Sequence, residues 1–212
     1  MIIRNLNRLN INYFKSIFFK NYEIDGLINF GSKKANNFFF KKISISNYYF
    51  EIGSGNSTLL AEKKNKFFFS IETSKSFYNF MLSKIHKKNN LKFFNLGIVG
   101  DFSYPIFINK KTAINYIKYI EKFFKFKKFP DFILVDGRYR VLFLLKLLKY
   151  KKKISLNKTC ILLDDYKKRS HYKVLDKYYN ITLVGRMAKL VPKRNKNVSL
   201  REEINKYLYD PR

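Results

Sequence analysis

At 212 residues, 46% of them hydrophobic, the chain can bury one full α/β core and is too short for several domains. Its single cysteine, Cys160, excludes an internal disulfide, and no apolar run reaches the length of a membrane-spanning helix. The formal charge of +29, from 44 Lys and Arg against 15 Asp and Glu, exceeds what codon bias explains: an AT-rich genome favours Lys over Arg but not Lys over Glu. Such a field draws anions, whether nucleic acid, an acidic membrane surface or phosphorylated and acidic substrates, unless it serves only as a solvated surface.

In chain order, Met1 to Asn29 is a basic and aromatic lead-in with Arg4 and Arg8 and no apolar signal core, so a cytoplasmic protein is expected. A helix is expected within Ile28 to Lys41, beside the first strand. Tyr48 to Ile52 reads as a buried strand, aromatic and β-branched, with Glu51 near its end. Gly53-Ser54-Gly55 follows as a turn whose glycines free the backbone and let a ligand approach it. Asn56, Ser57 and Thr58 are N-cap types for a helix over Leu59 to Lys64. A second strand, Lys66 to Ile71, ends in Glu72, 21 positions after Glu51, where an acid is placed to take ribose hydroxyls. Thr58 occupies the position of a dinucleotide turn's third glycine, which argues against a pyrophosphate ligand.

Ser74 to His86 has helical spacing, with Ser74 as cap and His86 in the last turn. Leu91 to Val99 is a third strand region ended by Gly100-Asp101. Thr112 to Lys125 is a helix with Ile114, Ile117, Tyr119, Ile120 and Phe124 as core candidates. Lys125 to Pro130 interleaves basic and aromatic residues; it either stacks and neutralises a nucleic-acid strand or is a solvated loop. Phe132 to Val135 is a continuous apolar strand, as in a sheet covered on both faces, and Asp136 stands at its carboxyl end. A helix over Val141 to Lys149 and a basic turn over Tyr150 to Lys153 follow. Thr159 to Leu163 is a fifth strand ending in Asp164-Asp165-Tyr166, and Arg169 to Tyr179 a further helix. Ile181 to Val184 and Met187 to Val191 flank Gly185-Arg186 as a hairpin. Ser199 and Glu202 form a capping box for a last helix.

The run Phe50 to Thr58 followed by Ser70-Ile71-Glu72 resembles motifs I and II of the class I S-adenosylmethionine-dependent methyltransferases. Phe132 to Arg138 and Ile161 to Tyr166 resemble that family's fourth and fifth strand ends, so the similarity runs in order from about Asn47 to Pro192. The resemblance implies an α/β, Rossmann-like three-layer sandwich, with a seven-stranded, mostly parallel sheet and a C-terminal antiparallel hairpin. It divides the chain into a helical cover over 1–41, a cofactor-binding core over 42–192 and a basic tail over 193–212. The implied cofactor is S-adenosylmethionine, held by Glu51, Gly53, Ser54, Gly55, Asn56, Ser57, Thr58, Glu72, Thr73, Asp101 and Asp136, with Asp101 near the adenine amino group. Tyr22, Phe30 and Lys33 either cover the substrate or simply shield the sheet edge.

Asp136, Asp164 and Asp165 resemble the metal site of the catechol and caffeoyl-CoA O-methyltransferases, which would imply Mg²⁺. The match is incomplete, because Tyr139 replaces that group's catalytic lysine. Arg138 and Arg140 flank Tyr139, and either would neutralise the acids without a metal. Asp136, Asp165, Arg138 and His171 are the catalytic candidates: Asp165 or His171 as base, Arg138 as a bidentate clamp on an anionic acceptor. No Asn-Pro-Pro-Tyr or Asp-Pro-Pro-Tyr is present, which argues against methylation of a base amine. The expectation is a methyltransferase acting on a small or anionic acceptor, at oxygen. The alternatives are an RNA methyltransferase that uses the basic surface as its track, and a non-catalytic nucleic-acid-binding module. An NAD-dependent oxidoreductase is disfavoured by Thr58 and by the hairpin.

Overall fold

A computed structural model describes residues 2–3, 22–125, 128–167, 169–193 and 200–212. Seven strands form one sheet: β1 (Tyr48–Ile52), β2 (Phe67–Glu72), β3 (Leu91–Phe93), β4 (Phe132–Val135), β5 (Cys160–Leu163), β6 (Tyr179–Val184) and β7 (Met187–Pro192). Their spatial order is β3-β2-β1-β4-β5-β7-β6. The first five are parallel, and β7 runs antiparallel to both β5 and β6. The fold class is therefore the expected one, closing hairpin included. A two-residue ribbon pairs Ile2–Ile3 with Phe107–Ile108.

Register decides where chemistry can sit. Ile52 pairs with Ile71 on one side and Val135 on the other, and Val135 pairs with Leu163. The parallel strands thus end level, and Gly53, Glu72, Asp136 and Asp164 all emerge at one edge. Because β7 is antiparallel, with Leu163 opposite Ala188, its preceding turn brings Arg186 to that same edge.

The central strands are buried on both faces, and their residues alternate between two cores. Ile133, Val135, Ile161 and Leu163 face one side with Tyr116, Phe124 and Phe143. Phe132, Leu134 and Leu162 face the other with Phe39, Tyr49 and Met81.

The helices are α1 (Lys33–Ile45), α2 (Asn56–Lys63), α3 (Lys75–Lys84), α4 (Lys110–Lys122), α5 (Arg140–Leu147), α6 (Lys151–Leu156) and α7 (Leu200–Tyr207). Ser32 caps α1 and Ser74 caps α3 through their hydroxyls, so α1 starts later than the hydrophobic pattern implied. Asn109 caps α4, whose buried face adds Ala113 and Tyr116 to the expected Ile117 and Ile120. Gly55 is the N-cap of α2, so Asn56, Ser57 and Thr58 lie in its first turn and not before it. His86 falls outside α3 in an exposed loop. The expected basic turn after α5 is instead the helix α6, and the segment after β5 is a 3₁₀ helix, Ser170–Lys177. Among the described residues no helix is long and apolar enough to cross a membrane.

Phe126 and Lys127 of the basic-aromatic run, Ser199 of the capping box, and most of the lead-in lie outside the described residues. Phe129 is buried against Phe124 and Tyr150, which removes it as an exposed stacking face.

Candidate active site

The β1–α2 turn is propped from below by Glu51. This carboxylate is fully buried and accepts hydrogen bonds from Tyr49 Oη at 2.5 Å, Ser57 Oγ at 2.5 Å and Thr58 Oγ1. Burial raises its pKa, and the hydroxyl donors pull it back. Glu51, Ser57 and Thr58 were expected to face the cofactor. They form instead an interior network that fixes the turn. Asn56 also looks away, donating to Asp25 Oδ1 and Leu27 O while accepting from Gly26 N, and so ties the lead-in to α2.

The two glycines divide the work that was assigned to both. Gly53 has φ +90°, and a Cβ there would lie 2.7 Å from the carbonyl carbon and oxygen of Asp136. The space beside it is filled by the neighbouring β4 turn, not left for a ligand. Among the described residues, an added Cβ at Gly55 would meet nothing within 4 Å. That side of the turn is open.

Glu72 lies across this opening. Its Oε2 accepts from Ser54 N at 3.2 Å and Ser54 Oγ at 2.8 Å. Its Oε1 accepts from Thr73 N and Ser74 N, each at 2.7 Å, and from Ser103 Oγ at 3.1 Å. One carboxylate thus joins the β1 turn, the β2 end and the 3₁₀ turn Asp101–Ser103. Thr73 contributes its backbone amide. Asp101 starts the third loop, where Phe102 (φ 51°) and Ser103 (φ 62°) adopt left-handed backbone conformations. Among the described residues, the buried hydroxyl of Tyr116 has no hydrogen-bond partner; burial, then the charge of Glu72, raises its pKa.

The second half of the site is a set of acids held by arginines. Arg140, only 4% exposed, donates to the carbonyls of Gly137, Asp164 and Asp136 at 2.9, 3.1 and 3.2 Å, and its Nη2 lies 2.9 Å from Asp136 Oδ1. Arg186 grips Asp164 through two bonds, at 3.1 and 2.8 Å, and approaches Asp165 Oδ1 at 3.3 Å. Arg169 pairs with Asp165. Asp136 keeps 37% of its side chain accessible. Surrounding protein pushes its pKa up to about 7, against the pull of Arg140 and with further upward pressure from Asp164 and Asp165.

Arg138 does not join this pairing. Among the described residues it makes no ion pair, and its Nε is buried without a partner. Burial, then Arg140, lowers its pKa. Of the two arginines expected to neutralise the acids, Arg140 does so and Arg138 does not; Arg169 and Arg186 make the remaining pairs. Arg140 and Arg169 stand four residues beyond the acid they hold, a spacing open to view in the sequence; Arg186 carries no such signal. His171 has a buried, unpartnered Nε2, and burial followed by Arg212 lowers its pKa. Tyr139, at the position of the lysine in the metal-dependent enzymes, is a core residue 1% exposed.

No family model matches the chain, and no curated protein does. Among solved structures it is similar to a methyltransferase-like protein (spo2022) from Silicibacter pomeroyi DSS-3, with a TM-score of 0.65 and 19% identity over 88% of this chain and 100% of that one. The fold is Rossmann-like.

In this Rossmann-like frame the edge that binds ligands in open α/β sheets gathers Ser54, Gly55, Glu72, Thr73, Asp101, Asp136 and Arg138. Glu51, Gly53, Asn56, Ser57 and Thr58 shape it from behind. The donor set does not suit Mg²⁺: among the described residues no three His, Cys, Asp or Glu side chains are grouped to hold a metal, and each of the three aspartates is already paired with a guanidinium. Tyr22 lies over Phe77 and Phe80 on α3, and Phe30 packs on Phe39. Phe30 is thus part of the core, while Lys33 opens α1.

Proposed function

We propose that this protein is an S-adenosylmethionine-dependent methyltransferase whose acceptor is a small molecule carrying negative charge. The observation that carries the reading is the position of Glu72. Each of its oxygens accepts one serine hydroxyl at the rim of the open turn, from Ser54 and Ser103. A vicinal diol presents the same pair of donors, so ribose hydroxyls can replace the serines without leaving the carboxylate unsatisfied. The open face at Gly55 leaves room for the rest of an adenosyl group.

S-adenosylmethionine supplies a methyl group already activated on a positively charged sulfur. The chain's own residues then bind and orient. Arg138, unpaired beside Asp136 and Arg140, offers a planar fork to a carboxylate or phosphate on the acceptor. Asp136, with its pKa near neutrality, takes the proton of an acceptor hydroxyl. Its Oδ1 is anchored by Arg140, so the carboxylate is held in one orientation. No step runs through a metal. An RNA acceptor shares the anionic character, but the burial of Phe129 removes one stacking face that would favour it.

Calorimetric titration with S-adenosylmethionine tests the reading. Wild type is expected to saturate at one molecule per chain, and Glu72→Ala to bind roughly tenfold to a hundredfold more weakly, the cost of losing hydrogen bonds to a charged group. Glu72→Gln keeps the volume and one acceptor oxygen, and is expected to fall between the two while remaining folded. Equal affinity in all three proteins overturns the assignment.

A further inference from the structure

At the opposite, amino edge of the sheet lies a cavity. It is a cleft of about 510 Å³ where β5 begins and antiparallel β7 ends. Among the described residues its walls carry six lysines and no acid: Lys42 at the end of α1, Lys151 and Lys152 on α6, Lys158 after it, and Lys189 and Lys193 from β7 and its exit. Among the described residues none of the six pairs with a carboxylate; Lys193 Nζ reaches only the carbonyl of Asp176, at 2.7 Å. Asp131, on the same edge, is turned onto the amides of Asn47 and Tyr48.

Three features distinguish this cleft from a merely solvated basic surface. Lys42, Lys151, Lys189 and Lys193 are half-buried, so each side chain is partly packed into the walls of the cleft and not spread over a free surface. Lys158 is held at φ 49°, a left-handed conformation ordinarily left to glycine or asparagine at a helix end. The floor is apolar, formed by the buried Ile154 and Cys160. The thiol of Cys160, raised to about 11 by burial, is pulled down by both Lys42 and Lys189, so those charges reach the floor from two walls.

We propose that this cleft is a binding site for a compact, soluble anion bearing several phosphate groups, separate from the methyl-transfer site. Converging ammonium groups suit clustered phosphates, each a point charge with rotatable donors. The volume is that of a small-molecule pocket and not of a surface for a duplex. Among the described residues the lining contains no aromatic side chain, in a chain with 23 Phe and 16 Tyr, so these residues offer nothing for single-stranded bases to stack on. S-adenosylmethionine, with its cationic sulfur and no phosphate, is not its ligand.

Inorganic tripolyphosphate is the probe. Calorimetry on wild type is expected to show one saturable site, weakened about tenfold or more in Lys158→Gln/Lys189→Gln, the scale of losing charge-assisted hydrogen bonds. Lys110→Gln/Lys111→Gln removes the same charge from exposed lysines at the start of α4 and is expected to bind tripolyphosphate like wild type. Thermal melts report folding of both variants, and S-adenosylmethionine titration is expected to be unaffected by either. Equal weakening in the two variants would reduce the effect to net charge and overturn the proposal. Absence of saturable binding overturns it too. So does stronger, Lys158- and Lys189-dependent binding of a short RNA duplex or of vesicles containing anionic phospholipid, which would assign the lysines to a polymer or a membrane.

Discussion

Arg140→Met is expected to destabilise the protein by about 3–5 kcal/mol, the usual cost of removing one partner from a buried, hydrogen-bonded ion pair. The melting temperature of a domain this size then falls by roughly 10 °C. The guanidinium is the single tie among three strand-end carbonyls, those of Asp136, Gly137 and Asp164, and it also compensates the Asp136 carboxylate. Arg140→Lys is expected to rescue little, because one ammonium cannot span the positions that a planar fork reaches. The loss has a pH signature. Asp136 titrates near 7 with Arg140 pulling its pKa down, so removing Arg140 raises it further. A carboxyl group whose folded pKa lies above its unfolded value costs stability as pH rises toward that folded value. The wild type has met this cost by neutrality, whereas the variant goes on losing stability above it. Melting curves below and above pH 7 therefore diverge further at the higher pH. Lys149→Met, which breaks an exposed pair with Glu121, serves as the contrast, at about 0–1 kcal/mol.

The glycine turn supports a prediction of similar size. Gly53→Ala forces a side chain onto φ +90° and drives Cβ to 2.7 Å from the Asp136 carbonyl, with Gly137 N at 2.9 Å. These are backbone atoms of the turn after β4 and cannot swing aside as the end of a side chain could. Strain and overpacking each cost roughly 1–3 kcal/mol, and both apply. Gly55→Ala separates stability from binding. Its φ of 171° is extended backbone, and the added methyl enters open space. Its melting temperature is expected to match wild type while its affinity for S-adenosylmethionine drops, since the methyl occupies the face the ligand needs. Thermal melts beside calorimetry check both variants. A stable Gly53→Ala protein would mean that the two turns do not pack as described.

What could be read from the sequence was whatever repeats locally. The continuous apolar runs at Phe132 and Ile161 and the glycine turn after Ile52 marked individual strands and a strand end, while the sheet with its closing hairpin followed from the resemblance to methyltransferases. Contacts between distant segments were not readable. Gly53 looked like a ligand-facing glycine because its neighbour across the gap, the Asp136-Gly137 turn, lies more than eighty residues away along the chain. Glu51 carries the same acid-after-strand pattern as a ligand contact, yet Tyr49 two residues earlier, on the same face of the strand, shares its interior network. The three aspartates matched a metal-binding pattern because nothing near them revealed that Arg186 would arrive from the far hairpin. Nor does periodicity mark a cleft assembled from α1, α6 and β7; the lysines that line it look like any others in so basic a chain.

Hydrogen exchange of the backbone amides, with and without S-adenosylhomocysteine, addresses the adenosyl cradle most directly. Slowed exchange in the peptides covering residues 50–58 and 70–75, with no change over 151–160, is the predicted result. Unchanged exchange at Ser54, Thr73 and Ser74 under saturating ligand, or protection confined to the lysine cleft, would contradict it.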